Sequence, residues 1–251
     1  MIKVAVCGAM GKMGRNVIEL LAEDREAEAF CGIDPRAESN IYGIKIYKTF
    51  AEIEGKPDVI IDFSSPAVLD DELEYAVKMG VPAVIGSTGF TPEQLKKIDE
   101  ASKRVAIFRT ANFSLGVNLL CKLVKRAAEV LCEKFDVEII EKHHNKKVDA
   151  PSGTAIMLAD SVNEAFDCDK QIINGRDGLV GKRGKEIGMH AVRGGTVVGE
   201  HEVGFYGEDE IVTLSHSARS KKVFASGAIT ACKWLCGKPA GKYDMTDVLD
   251  V

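Results

Sequence analysis

Between Ile2 and Phe108, short β-branched runs alternate with stretches of amphipathic helical length, and no other feature of the chain restricts its fold so strongly. Strands are read at Lys3–Cys7, Ala27–Ile33, Asp58–Phe63, Ala83–Ile85 and Val105–Phe108, with helices at Met13–Glu23, Ala67–Met79 and Pro92–Lys103. Strand and helix in alternation mean a parallel sheet wrapped by helices, because parallel neighbours are joined only through a crossover. Such strands are buried on both faces, which explains why Val59-Ile60-Ile61 is apolar without interruption.

After Thr110 the rhythm changes. A helix over Leu115–Leu131, a strand at Val137–Ile140, a helix over Thr154–Phe166 and a Gly-rich charged stretch from Gly175 to Gly188 come first. Three runs follow, Met189–Val192, Thr196–Phe205 and Ile211–Ser217, whose alternation reads as antiparallel strands with one exposed face, and Val223–Leu235 returns to helix. The expected fold class is α/β: a Rossmann-like doubly wound parallel sheet with an inserted α+β substrate and oligomerisation domain. Residues 1–113 with 220–251 are expected to bind a dinucleotide, and 114–219 to form the insert.

Lys and Arg number 33 against 38 Asp and Glu, so no global positive field exists to hold nucleic acid or an anionic membrane. An anionic ligand must therefore be met by a local cluster. The seven cysteines are odd in number and contain no C-x-x-C pair, as free thiols of a reducing compartment do. Met1 to Val6 reads at once as a strand, without a signal peptide, and no apolar run has bilayer length, so the expected location is cytoplasmic.

The first strand runs into Gly8-Ala9-Met10-Gly11-Lys12-Met13-Gly14, where a helix begins. Glycines let the backbone turn tightly against a phosphate, and the helix start offers N–H groups and a positive dipole end. The spacing is G-x-x-G-x-x-G, which alone equally suits a bare packing turn. Asp34 strengthens the dinucleotide reading: it ends the second strand 20 residues beyond Gly14, where this fold sets a carboxylate on a ribose. Arg36 suits a 2′-phosphate, so NADH and NADPH both stay open. Gly86-Ser87-Thr88-Gly89 and Thr110-Ala111-Asn112-Phe113 follow later strands and lie on the rim where such sheets bind ligands.

The segment from Glu141 to Thr154 gathers His143, His144, Lys142, Lys146 and Lys147, then breaks at Pro151 and opens a helix capped by Ser152. A small dicarboxylate finds complementary groups here: the Gly153 and Thr154 amides, the Thr154 hydroxyl and a lysine. Either histidine can deliver a proton near neutral pH. The run also suits a solvated basic loop. Metal ligation is not expected, because adjacent side chains on an extended chain point apart. Ser152 lacks the G-x-S-x-G elbow of a nucleophile.

At these residues the whole chain resembles the family of 4-hydroxy-tetrahydrodipicolinate reductases, also called dihydrodipicolinate reductases, of the diaminopimelate route to lysine. The resemblance rests on Gly8 to Gly14, Gly86 to Gly89, Ala111 to Ser114, Val198-Gly199-Glu200-His201, Phe224 to Ala228 and, above all, His-His-x-x-Lys-x-Asp-Ala-Pro-Ser-Gly-Thr from His143 to Thr154. It implies His143 as proton donor, Lys147 as second catalytic residue, and His144, Ser152, Gly153 and Thr154 as substrate contacts. For an NADH or NADPH cofactor it implies Gly8, Ala9, Met10, Gly11, Lys12, Met13, Asp34, Arg36, Gly86, Ser87, Thr88, Thr110, Ala111, Asn112 and Phe113. The implied reaction is hydride transfer to C4 of a cyclic imine dicarboxylate, and the implied assembly is a homotetramer built through the inserted sheet, with no membrane or nucleic-acid partner. Two departures stand out: Ser220-Lys221 where many members carry Ser-Arg, and a proline between Asp34 and Arg36. Another two-domain nicotinamide oxidoreductase, or a non-catalytic dinucleotide sensor, is the alternative; a sensor has no need of His143 and Lys147.

Overall fold

The structure, a computed structural model, describes residues 1–37, 40, 42–131, 133–165 and 170–249. The chain divides into two units, Met1–Ser114 with Lys222–Val251, and Leu115–Lys221. In the first, β1 (Ile2–Cys7), α1 (Lys12–Glu23), β2 (Ala27–Ile33), β3 (Ile46–Tyr47), β4 (Val59–Asp62), α2 (Leu69–Met79), β5 (Ala83–Ile85), α3 (Pro92–Ser102) and β6 (Ala106–Arg109) follow one another. The second runs through α4 (Leu115–Leu131), β7 (Asp136–His143), α5 (Gly153–Glu164), β8 (Gln171–Asn174), β9 (Glu186–Arg193), β10 (Gly199–Tyr206) and β11 (Ile211–Ala218). The chain then returns to the first unit as α6 (Lys222–Leu235), β12 (Gly241–Tyr243) and α7 (Met245–Val248).

All strands of the first sheet are parallel, in the order β3-β2-β1-β4-β5-β6-β12. It is the Rossmann-like sheet expected from the alternation. Helices cover both faces, so every residue of β4 and β5 is buried. Ala5, Ile60, Ile85 and Ile107 meet Leu69, Leu73 and Ala76 of α2 and Ile98 and Ala101 of α3. α1 packs with α6, burying Val17, Ile18 and Leu21 on one helix and Ala225, Ala228 and Cys232 on the other. The strand order reverses between β1 and β4, and open α/β sheets bind ligands outside the carboxyl ends of the strands at that point.

The second sheet has the order β11-β10-β7-β9-β8 and is mixed. β10 runs antiparallel to β11 and β7, as expected. Met189–Val192 does not fit the expected antiparallel set: it lies in β9, which is parallel to both β7 and β8. Alternation reports one exposed face and says nothing of direction; β9 is parallel to β8 because the connection over residues 175–185 carries the chain back to the end of the sheet where β8 began. Leu120 and Val124 of α4 and Leu158, Ala159 and Val162 of α5 seal one face against Val137, Ile139, Ile187, Met189, Val203 and Phe205. Ile211, Thr213, Ser215 and Ser217 of β11 are exposed on the other.

Among the described residues no helix is long and apolar enough to cross a membrane. Cys7, Cys31, Cys121, Cys232 and Cys236 are free thiols, whereas Cys132, Cys168 and the expected helix end at Phe166 lie outside the described residues. Leu158 is fully buried beneath the sheet. Truncation by Leu158→Ala is expected to cost about 2–5 kcal/mol in urea unfolding, and a loss below about 1 kcal/mol would contradict the packing of α5 as the seal of this core.

Candidate active site

Period-two alternation along β7 sends Val137, Ile139, Glu141 and His143 to the covered face, where Glu141 has no exposed surface. A carboxylate in such a place needs several donors. Arg193 grips it in a fork, Nη1 donating to Oε2 and Nη2 to Oε1, each at 2.7 Å. The Ser152 backbone N–H donates to Oε1 at 3.0 Å, and His143 Nδ1 lies 2.6 Å from Oε2. Strand register produces this convergence. Parallel pairing sets Arg193 of β9 beside His143, and antiparallel pairing sets His201 of β10 beside Glu141.

The loop after β7 is held by the same groups. Gly194 N–H donates to the His143 carbonyl at 2.9 Å and Asn145 N–H to the Gly195 carbonyl at 3.2 Å. Nη2 of Arg193 donates to the Asp149 carbonyl at 2.7 Å, and Lys147 Nζ pairs with the Asp149 carboxylate at 2.8 Å. The Ala150–Pro151 peptide is cis, and Ser152 then caps α5 by accepting from the Ala155 N–H at 3.2 Å. Ser152 Oγ also lies 3.0 Å from His201 Nε2, whose ring meets His143 edge to face at 5.2 Å. A Cβ at position 199 would sit 3.1 Å from His143 Nε2, so Gly199 leaves that nitrogen uncrowded.

Burial pushes the His143 pKa below its ordinary value, against the pull of Glu141, and Lys147 and Arg193 push the same way as burial. His201 is driven down to about 4, first by burial and then by His143. Burial alone would raise Glu141, but hydrogen bonds from Arg193 and His143 outweigh it and hold the carboxyl below its usual range. The resting site therefore holds an ionised Glu141 beside two imidazoles that are neutral near pH 7.

Of the residues singled out in this part of the sequence, His143 is buried on the strand and Lys147 is largely covered and paired in the loop. His144 presents a buried Nδ1 with no hydrogen-bond partner among the described residues. Gly153 and Thr154 form the start of α5, directly after the Ser152 cap. Ser152 is turned into the scaffold, its hydroxyl and N–H both engaged. Sequence reasoning assigned no role to Glu141, Arg193 or Gly199. Only Glu141 carried a usable signal, standing two residues before His143 on a strand and hence on the same face.

In the first unit, the glycine turn, Asp34, Gly86 to Thr88 and Thr110 to Phe113 all follow the carboxyl ends of β1, β2, β5 and β6. Gly8 has φ +77°, and a Cβ there would stand 2.6 Å from the Phe63 carbonyl oxygen; at Gly14 it would strike the Gly8 carbonyl. The helix of Lys12 and Met13 starts at Gly11 with no side-chain cap, leaving its first turn open to an anion. Asp34 is buried, accepts from the Met10 N–H at 3.1 Å, and pairs through both oxygens with Arg36 at 3.0 Å. Gly8, Gly11, Asp34, Arg36, Lys48 and Phe63 line a cleft of about 570 Å³. A turn that admits only glycine, an uncapped helix start and a buried acid fit the pyrophosphate and ribose of a dinucleotide. Ala111 is exposed, Asn112 accepts from the Ser114 N–H at 2.8 Å, and the Phe113 ring packs on Phe63 and Phe108. Asp62 was missed by the sequence reading: buried at the end of β4, it accepts from the Ser64 N–H at 2.8 Å and from the Ser87 hydroxyl, joining the loops after β4 and β5. An acid closing an otherwise wholly apolar strand was its signal.

Residues 2–113 match the family model "Dihydrodipicolinate reductase, N-terminus" and 116–249 match "Dihydrodipicolinate reductase, C-terminus". The chain is 46% identical to a 4-hydroxy-tetrahydrodipicolinate reductase of Caldanaerobacter subterraneus, over 99% of this chain and 98% of that one. It is 43% identical to the enzyme of the same name from Clostridium novyi, again over 99% and 98%. Among solved structures, dipicolinate-bound dihydrodipicolinate reductase from Paenisporosarcina sp. TG-14 superposes with a TM-score of 0.84 at 28% identity, covering 99% of this chain and all of that one.

The depressed pKa of His201 has a stability consequence. Between its ordinary value of 6.5 and about 4 the unfolded chain takes up a proton that the folded chain refuses, so this contribution is present above pH 6.5 and is lost as pH falls through that window. Chemical denaturation of wild type and His201→Gln at pH 7 and pH 4.5 is expected to show a smaller acid loss in the variant; an equal loss in both would contradict a neutral buried His201.

Proposed function

Because the chain belongs to the dihydrodipicolinate reductase family, we propose that it reduces 4-hydroxy-tetrahydrodipicolinate to tetrahydrodipicolinate in the diaminopimelate route to lysine, using NADH or NADPH. The observation that carries this reading is a histidine held by a buried carboxylate next to a basic loop and the first turn of α5. Loss of the 4-hydroxyl as water leaves a conjugated cyclic imine with two carboxylates. A hydride enters at C4, and the resulting enamine takes one proton. The cofactor, held by Gly8 to Met13, Asp34, the Gly86 to Thr88 loop and the Thr110 to Phe113 loop, supplies that hydride when bound.

The chain's own groups do the rest. Gly153 and Thr154 amides take one carboxylate, and the unpartnered Nδ1 of His144 offers a further contact. Lys147 balances negative charge and supplies a second acidic N–H. Glu141 fixes the His143 ring through Nδ1 and so leaves Nε2, the nitrogen facing Gly199, as the atom that gives up the proton. Neutral in the resting site, His143 gains its proton when a dianion arrives, because nearby negative charge favours the imidazolium. Asp34 and Arg36, paired with each other after β2, stand where the adenosine ribose and a 2′-phosphate would lie, and both cofactors stay open. The reading further includes a cytoplasmic location and a homotetramer, the assembly supported by the face of the second sheet that its own helices leave uncovered.

In a coupled assay with freshly generated substrate, wild type is expected to oxidise NADH or NADPH, and absence of turnover with both would sink the reading. Lys147→Ala is expected to lower kcat by about 10²–10⁴ while the dissociation constant for NADH stays within about threefold, and a near-normal rate would remove Lys147 from the chemistry. Sedimentation equilibrium is expected to give about four times the 27.2 kDa chain mass, against a monomer or dimer if the assembly is different.

A further inference from the structure

Arg193 is 20% exposed, and its contacts reach three parts of the second unit at once. It takes both Glu141 oxygens, the Asp149 carbonyl at 2.7 Å and its own neighbour's carbonyl, Val192, at 2.8 Å. Planarity matters here: a lysine has no fork with which to bridge a carboxylate and reach a third acceptor together. Oε2 of Glu141 is shared, with His143 Nδ1 at 2.6 Å and Arg193 Nη1 at 2.7 Å. The two cationic or potentially cationic groups therefore compete for one anionic oxygen.

We propose that Arg193 is a positioning residue for proton transfer: by gripping Glu141 and the Asp149 carbonyl, it governs how much of the Glu141 charge reaches His143 and fixes the loop that carries Lys147. The inference rests on the reading of His143 as proton donor. The groups that face His143 are Glu141 from its own strand, Arg193 from β9, His201 from β10 with His216 of β11 behind it, and Lys147 with its partner Asp149 from the loop. Lys142 points to the opposite face and pairs with Glu200 at 3.4 Å. Of these, Glu141 is the group in hydrogen-bond contact that favours the imidazolium, whereas Arg193 and Lys147 oppose it. Removing Arg193 both withdraws a repelling charge and releases the whole Glu141 carboxylate to His143. Removing Glu141 does the reverse.

The signs give an order that a purely structural role does not produce. By titration of the histidine Cε1–Hε1 NMR signals in the ligand-free protein, the His143 pKa is expected to rise in the sequence Glu141→Gln, Glu141→Gln with Arg193→Gln, wild type, Arg193→Gln. Arg193→Gln is expected to lie about one pH unit above wild type, and Arg193→Lys, which restores the charge without the fork, between the two. If Arg193→Gln is too unstable to titrate, the double variant, with two neutral amides still able to hydrogen-bond, decides the matter by lying above Glu141→Gln. No rise in Arg193→Gln, or a double variant at or below Glu141→Gln, overturns the inference. If the NMR order holds while the acid limb of kcat ignores it, the hold of Arg193 on His143 stands and the assignment of His143 as the proton donor fails.

Discussion

A carboxylate with no exposed surface organises the second unit. Glu141 is inward because it shares a strand face with Val137 and Ile139, and once there it must be ionised and surrounded by donors, or neutral. The structure takes the first course. Arg193 comes from β9, Ser152 from the start of α5 and His143 from β7 itself, so one acid ties two strands, a helix start and the loop between them. Breaking a buried ion pair by removing one partner costs about 3–5 kcal/mol, with the lower end applying where, as for Arg193, one partner keeps some contact with water. The pair is thus a weak source of net stability and a strong source of definition: it decides where the His143 ring points and where the loop bearing Lys147 lies.

The same arrangement sets the protonation states. Burial and the cations Lys147 and Arg193 hold His143 neutral at rest, and Glu141 limits how far. His201, held lower still, contributes shape and a hydrogen bond to Ser152 and no proton. In the proposed reaction a dicarboxylate reverses the balance at His143 by adding two negative charges to a site whose own carboxylates, Glu141 and Asp149, are already paired with cations. On the proposed reading the proton is then available when substrate is bound and absent otherwise, which suits a reaction whose proton must follow the hydride.

Much of the first unit was legible because its signals are local. Ala27–Ile33 and Ala83–Ile85 carry the read boundaries, as does Leu115–Leu131 at the start of the second unit, since mainly apolar stretches bounded by turn residues leave little choice. The two-residue β3 and the three-residue β12 have too few positions to display a period, and their strand state comes from the neighbours they pair with. The direction of β9 was invisible for a different reason, because alternation is the same in parallel and antiparallel strands. In the site, His143 and Lys147 stood out by residue type in a dense string. Arg193 lies 52 residues from Glu141, and only strand register brings them together. Ser152 was read correctly as a cap, yet the hydroxyl and N–H that a ligand would need are spent inside the fold.

The claim on which the rest turns is that His143 is neutral until a dianion arrives. Calorimetric titration of pyridine-2,6-dicarboxylate at pH 7 in buffers of different ionisation enthalpy counts the protons taken up on binding. The account predicts net uptake approaching about one proton per site, largely abolished in His143→Asn. Binding of the ligand by wild type with no proton uptake would contradict it.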